Sequence, residues 1–350
     1  MAPGEQGGRW PDWCWHDGTP LDPALRGELT CLPPPLLEDF EFSGHGAELA
    51  KWSPLRSSTT LNLVPYGGRV SFYKVEELKP LAKHFTDPGS PGVIYRDVYD
   101  KLERALRCDP NTDARLCHDS QHHFLLPAFF HTLSALRDAG RSYSVVIRTF
   151  GTDGAKVVDA ITAFSEGKHP TYAAVPELAE SQIALWQGRY LETGAAGGPP
   201  QYILQSNDGK VVVSDESLVE ETLIKPHRRI SAVCCRDDYG SWKAHQYSPS
   251  AGKPPWVTEQ DSLTHPIFFD DNIHNHPRDS IVAVRVRPTA TSTYTALPPE
   301  RALETHGVLT QRTPTFAAIL DPSWFLRKIA SCEQKKGLGA EASGVPGGAG

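Results

Sequence analysis

The sequence predicts an α/β protein, a Rossmann-like three-layer sandwich around a parallel sheet, and three observations predict it. The run His265-Pro266-Ile267-Phe268-Phe269-Asp270-Asp271-Asn272-Ile273 is a short apolar β-type segment that stops on two adjacent carboxylates. Open α/β sheets bury such strands and bind ligands beyond their carboxyl ends. The run at 142–147 reads as another strand, and at 154–165 Val157, Val158, Ile161 and Phe164 recur at helical spacing. A hydrophobic content of 39% over 350 residues is enough for a sizeable core.

The elements follow in order. Residues 1–58 are rich in Pro, Gly and Trp without periodicity and read as an irregular arm. Residues 59–64 are β-rich, Pro65-Tyr66-Gly67-Gly68 is a tight turn, and 69–75 resumes apolar alternation. Helices are expected at 75–85, 95–106 and 122–139, the last closing on Gly140, so that about 75–140 forms a helical insertion. A β-rich insertion is expected at about 170–250, with strands at 202–204, 211–213 and 230–235 and a turn at Asn207-Asp208-Gly209-Lys210. The main sheet should then resume at 267–269 and 281–286, and a helix starting at Pro322 should place Trp324, Phe325 and Ile329 on the core. The α/β domain spans 59–334 on this reading. The Gly/Ala/Ser tail at 335–350 has little to bury and is expected to be disordered.

Composition narrows the partners. A formal charge of -7 without a dense Lys/Arg block argues against nucleic acid. No apolar run approaches the roughly 18 residues a membrane span needs, and the first residues do not resemble a signal peptide. A cytoplasmic protein without membrane contact is expected. The seven cysteines form no CxxC pair, which fits reduced thiols better than a disulfide framework.

Three separated pieces carry the candidate chemistry. In Val145-Val146-Ile147-Arg148-Thr149-Phe150-Gly151-Thr152-Asp153-Gly154 a strand ends on a hydroxyl and passes through glycines into a helix. Exposed amides at a helix start make a natural phosphate cradle, to which Thr149, Phe150 and Gly151 would contribute. Lys253, on the constrained loop Ser250-Ala251-Gly252-Lys253-Pro254-Pro255-Trp256, could neutralise phosphate or hold a carboxylate, with Lys243 a weaker candidate. Asp270, Asp271 and Asn272 offer the hard oxygen ligands that suit Mg²⁺.

A hydroxyl after a strand, then a lysine, then an acidic pair after a strand resembles motifs two, three and four of the haloacid dehalogenase (HAD) superfamily. The resemblance spans roughly 59–286 and implies that Thr149 binds phosphate, Lys253 stabilises it and Asp270 with Asp271 binds Mg²⁺. It also locates a departure. The superfamily's first strand ends in Asp-x-Asp-Gly-Thr, whose first Asp attacks phosphorus, but here Leu63-Val64-Pro65-Tyr66-Gly67-Gly68 puts Val64 and Tyr66 where both carboxylates belong. Trp15-His16-Asp17-Gly18-Thr19 keeps Asp-Gly-Thr, with Trp15 at the nucleophile position. Without that Asp an aspartyl phosphate cannot form.

The resemblance therefore implies a non-catalytic or regulatory protein that binds Mg²⁺, a phosphorylated small molecule or a protein partner. The alternative is an active Mg²⁺-dependent phosphohydrolase with a non-standard nucleophile, for which Asp17 and Asn62 are candidates. A third reading rests on the fourteen histidines, with clusters at His118, His122 and His123 and at His274 and His276. It is an unrelated α/β protein holding Zn²⁺ through His118, His122 or His274.

Overall fold

The computed structural model describes residues 84, 86–88, 93–180, 183–191, 201–224, 228–276 and 279–342. The arm with Asp17, the strand–turn–strand with Asn62, Val64 and Tyr66, and all of the helix expected at 75–85 except His84 lie outside these residues. The chain divides into two compact units at Arg104/Ala105. In the first, α1 (Arg96–Leu106) begins, and Arg96 pairs with Asp87 at 2.9 Å and with Asp100 one turn on at 3.0 Å.

The second unit is mixed α/β with open mixed sheets. Its largest sheet is assembled from β1 (Tyr143–Thr149), β2 (Ala184–Leu191), β3 (Gln201–Ser206), β4 (Val212–Val213) and β5 (Ile230–Arg236), in the order β1-β5-β2-β3-β4. β5 runs parallel to both β1 and β2, so that Thr149 lies opposite Arg236, while the β2-β3 and β3-β4 pairs are antiparallel. Strands from the stretch expected to form a β-rich insertion thus share one sheet with β1, and β5 lies inside it between β1 and β2. All but the last residue of β5 are buried, as a strand flanked on both edges and covered on both faces should be.

Side-chain alternation sorts the two faces. On one, Ile230, Ala232 and Cys234 pack with Val157, Ile161 and Phe164 of α3 (Gly154–Ser165) and with Phe130 and Leu133 of α2 (Pro127–Asp138). On the other, Val233 and Cys235 meet Tyr202, Leu204 and Trp256, and Val219 and Leu223 of α5 (Glu216–Ile224). The short α4 (Glu177–Glu180) buries Leu178 on the first face. α2 begins five residues later than the sequence pattern suggests, at Pro127, whose fixed φ suits the first helical position and restricts the residue before it. It ends as expected at Gly140, at φ +72°, with Arg141 N–H donating to the Leu136 carbonyl at 3.0 Å.

The expected resumption of the main sheet is corrected. After α6 (Tyr239–Ala244), β6 (Trp256–Thr258) pairs with β10 (Arg285–Arg287), which also pairs with β11 (Thr295–Ala296). β7 (Phe268–Asp270) pairs in parallel with β12 (Thr310–Arg312), and β8 (Ile273–His276) with β9 (Asp279–Ser280). Among the described residues β7 therefore belongs to a separate two-stranded sheet. Pro266 supplies no ladder donor just before it, and the Asp270 carboxylate ends it by accepting from Asn272 N–H at 2.8 Å. After α7 (Pro299–Glu304) and α8 (Thr315–Leu320), α9 runs from Trp324 to Ala342, which corrects the expectation of a disordered tail at 335–342. Side chains tie this helix down, since Glu333 pairs with Arg141 and Lys336 donates to the Thr264 carbonyl at 3.0 Å. No described helix is long and apolar enough to cross a membrane.

Gly188 in β2 leaves no room for a side chain, because a Cβ there would lie 1.8 Å from the Tyr202 hydroxyl. Gly188→Ala should destabilise by about 2–3 kcal/mol through overpacking. Gly337→Ala, in a helical position with nothing within 4 Å, should leave stability unchanged or slightly higher. Urea denaturation of the two variants checks the contrast.

Candidate functional site

β1 runs through the apolar Val145-Val146-Ile147 into Arg148, and a buried guanidinium needs a carboxylate and full hydrogen bonding. Both are present. Asp237, immediately after β5, takes the guanidinium in a two-pronged pair in which Arg148 Nε donates at 2.9 Å, and the two side chains are 6% and 1% exposed. The Tyr202 hydroxyl donates to Asp237 at 2.7 Å, and Arg148 Nη1 donates to the Pro254 carbonyl at 2.9 Å. Burial alone would disfavour the guanidinium charge, but the adjoining Asp237 carboxylate outweighs it and keeps Arg148 protonated. Burial likewise pushes the Cys235 thiol up to about 12, with Asp237 adding to the effect.

By holding the Pro254 carbonyl, Arg148 anchors the loop that carries Lys253. Gly252 is required there, since a Cβ would lie 2.1 Å from the Ile281 carbonyl oxygen. That close approach lets Lys253 N–H donate to Ile281 at 2.7 Å and Ala283 N–H donate to Lys253 at 3.0 Å, while the Tyr190 hydroxyl donates to Gly252 O at 2.7 Å. The lysine side chain is thereby aimed inward. Its Nζ donates to Asp270 Oδ2 at 2.9 Å and to the Arg148 carbonyl at 3.2 Å, and lies 5.1 Å from the centre of the Phe150 ring. Lys253 and Asp270 are 8% and 9% exposed. The ring of Phe150 stacks on buried Trp242 of α6 at 4.9 Å.

The loop after β1 is internally bonded. Thr149 Oγ1 accepts from Gly151 N–H at 2.9 Å and donates to Asp153 Oδ1 at 3.0 Å, while Asp153 stands at the start of α3 without capping it. A phosphate entering here would have to take the Thr149 hydroxyl from Asp153 and tolerate that carboxylate. At the end of β7 Asn272 Nδ2 donates to Asp271 Oδ1 at 3.0 Å. Partial loss of its water shell, followed by the charge of Asp270, raises the Asp271 pKa above the ordinary carboxylate value. Asp270, Asp271 and the Asn272 amide oxygen are hard donors of the kind Mg²⁺ takes, and both Asp270 oxygens already accept hydrogen bonds, from Lys253 and from Asn272 N–H.

The structure thus joins Lys253, Asp270, the backbone of Arg148 and the ring of Phe150, with Thr149 and Gly151 on the adjoining loop. Asp17 and Asn62 lie outside the described residues. Lys243 is exposed on α6. His118 stacks on Phe124, His122 bonds Asp119, and His123 stacks on His169, while the side chain of His274 lies outside those described. Among the described residues no three His, Cys, Asp or Glu side chains gather as a metal site. Sequence reasoning missed Arg148, Asp237, Tyr202 and Gly252. The signal for the first two was a charge inside an apolar run and Asp237-Asp238 after another. The chain matches no protein-family model, and no curated protein or solved structure shows a significant match to it.

Asp237→Ala should destabilise by about 3–5 kcal/mol, because it strands a buried guanidinium. Arg148→Met/Asp237→Leu should recover much of that loss, and chemical denaturation of both variants checks this. Asp271 gives a pH signature. A carboxyl whose folded pKa is raised stabilises fully below its unfolded pKa, and that contribution is lost as pH rises through the folded pKa. Asp271→Asn should therefore raise Tm relative to the parent at neutral pH, and the gain should vanish near about pH 3, below the ordinary Asp value.

Proposed function

We propose that this chain is a HAD-like cytoplasmic protein that binds Mg²⁺ and a phosphorylated ligand, a small molecule or a protein segment, without turning it over through an aspartyl phosphate. The observation that carries this reading is the Lys253 ammonium, which joins the end of β1 to Asp270 at the end of β7. Three pieces far apart in sequence meet there, and they are the same three that the resemblance pairs with motifs two, three and four. The doubly covered sheet, with β1 and β5 parallel, supports the sandwich reading. Asp270, Asp271 and Asn272 would hold the cation, which would screen the carboxylates and draw phosphate oxygens. Lys253 would offer its remaining proton to the same anion. The positions of Val64 and Tyr66 in the sequence supply neither nucleophile nor general acid.

Isothermal titration with Mg²⁺ and inorganic phosphate, together with turnover of p-nitrophenyl phosphate, tests the reading. Mg²⁺ binding should weaken at least about tenfold, roughly 1.4 kcal/mol, in Asp270→Asn/Asp271→Asn, with no turnover in either protein. Turnover that disappears in the double variant would instead establish an active phosphohydrolase. Failure of the parent to bind either ion would reject the site.

A further inference from the structure

Cys108 and Cys117 lie outside the site described above, nine positions apart in the chain, yet their sulfurs are 3.1 Å apart. The backbone explains the meeting. Residues 121–124 form an extended segment that bonds on both sides: Cys108 N–H donates to the Gln121 carbonyl at 2.7 Å, His123 N–H to Leu106 at 2.8 Å, His118 N–H to His122 at 2.8 Å and Phe124 N–H to Leu116 at 2.8 Å. Arg107 faces His122 and Cys117 faces His123 in antiparallel bridges. Asp113 caps the 3-10 turn Ala114–Leu116 that delivers Cys117, and the Asp119 side chain accepts from the Gln121 and His122 amides at 2.8 Å. Both thiols are therefore held in place by fixed backbone, and neither depends on the other for its position.

We propose that Cys108 and Cys117 form an intramolecular disulfide that pins the end of α1 to the turn ahead of α2. A disulfide needs its sulfurs at about 2.05 Å, so closure asks for a shift of only about 1 Å, within reach of side-chain rotation. With a low-molecular-weight disulfide such as oxidised glutathione as oxidant, Cys117, the more exposed of the two, attacks as thiolate. One glutathione thiolate leaves and a mixed disulfide forms. Cys108 then gives up its proton and attacks the Cys117 sulfur, expelling the second glutathione. The two cysteines lose two protons and two electrons, and the oxidant gains both as two molecules of glutathione. Burial, the Cys117 contact and the nearby Asp119 and Asp109 carboxylates push the Cys108 thiol up to about 12. Such a thiol is a poor leaving group, and its reduced form gains nothing from ionisation. The closed bond should therefore form slowly and resist reduction.

The natural, folded chain serves for the test. It is incubated with oxidised glutathione, alkylated with N-ethylmaleimide and digested with trypsin, which cuts after Arg107, Arg115 and Arg137. The expected product is peptide 108–115 joined to peptide 116–137, roughly 2 Da lighter than their sum. Cys234 and Cys235, whose side chains enter the cores on opposite faces of the sheet, should stay unlinked. The rate of closure should climb about tenfold per pH unit from neutrality, in step with the thiolate fraction of Cys108. Cys117→Ser should leave Cys108 unlinked. Recovery of both peptides singly, as maleimide or glutathione adducts, under excess oxidant would overturn the proposal. So would a cross-link that forms as readily in urea.

Discussion

The buried ion pair between Arg148 and Asp237 is the contact on which the rest of this sheet edge depends. Its two members close the adjacent parallel strands β1 and β5, and the desolvation of each charge is tolerable only because the other is there. The Tyr202 hydroxyl fills a remaining acceptor of Asp237, which in turn explains why β2 carries glycine at 188, where a side chain would occupy the place of that hydroxyl. One charge in an apolar strand thus dictates a partner strand, a tyrosine on the next strand but one and a missing Cβ between them.

The same guanidinium reaches outward. By bonding Pro254 O it fixes the loop whose neighbouring residue, Lys253, crosses to Asp270. The five-stranded sheet and the small β7-β12 sheet are therefore joined at this edge by charge and backbone hydrogen bonds. Geometry of this kind is stiff, since moving Lys253 would take from Asp270 its partner charge and the donor to Oδ2 in a nearly dry setting, leaving only the Asn272 N–H on Oδ1.

The strands and helices with strong local signals were legible in the sequence. The helix at 154–165 coincides with α3, because its apolar residues recur on one face and its start follows a glycine-containing loop. β1 and β5 were legible from their apolar runs, but their adjacency was not, since pairing between strands some eighty residues apart leaves no mark in either run. The same limit applies to β7, whose apolar run reads as a buried sheet strand while its neighbours are set by tertiary context. In the tail, composition misled: Gly337 and Gly339 suggested disorder, but the Glu, Lys, Leu and Ala around them favour a helix that Glu333 and Lys336 anchor. Of the candidate site, Thr149 and Asp270 were readable as chemical types at strand ends, and Lys253 as a lysine on a constrained loop. The residues that position them were hidden because their role is to satisfy one another.

The arrangement of charges also bears on the proposed function. Arg148 is committed to Asp237 and cannot serve a ligand. Lys253 is left as the ammonium of the site, already shared with Asp270, while Asp153 sits beside the Thr149 hydroxyl and burial raises the Asp271 pKa above its ordinary value. A phosphate approaching such a surface alone would meet more negative than positive charge, and the Thr149 hydroxyl it would use already points at Asp153. A divalent cation would meet the opposite balance, because Asp153, Asp270 and Asp271 outnumber the one ammonium of Lys253. On the proposed reading Asp270, Asp271 and Asn272 would hold a cation, whose charge would offset the part of the Asp271 shift that comes from Asp270 rather than from burial and would favour a phosphorylated ligand beside Lys253, so that anion affinity would depend on the cation by linkage.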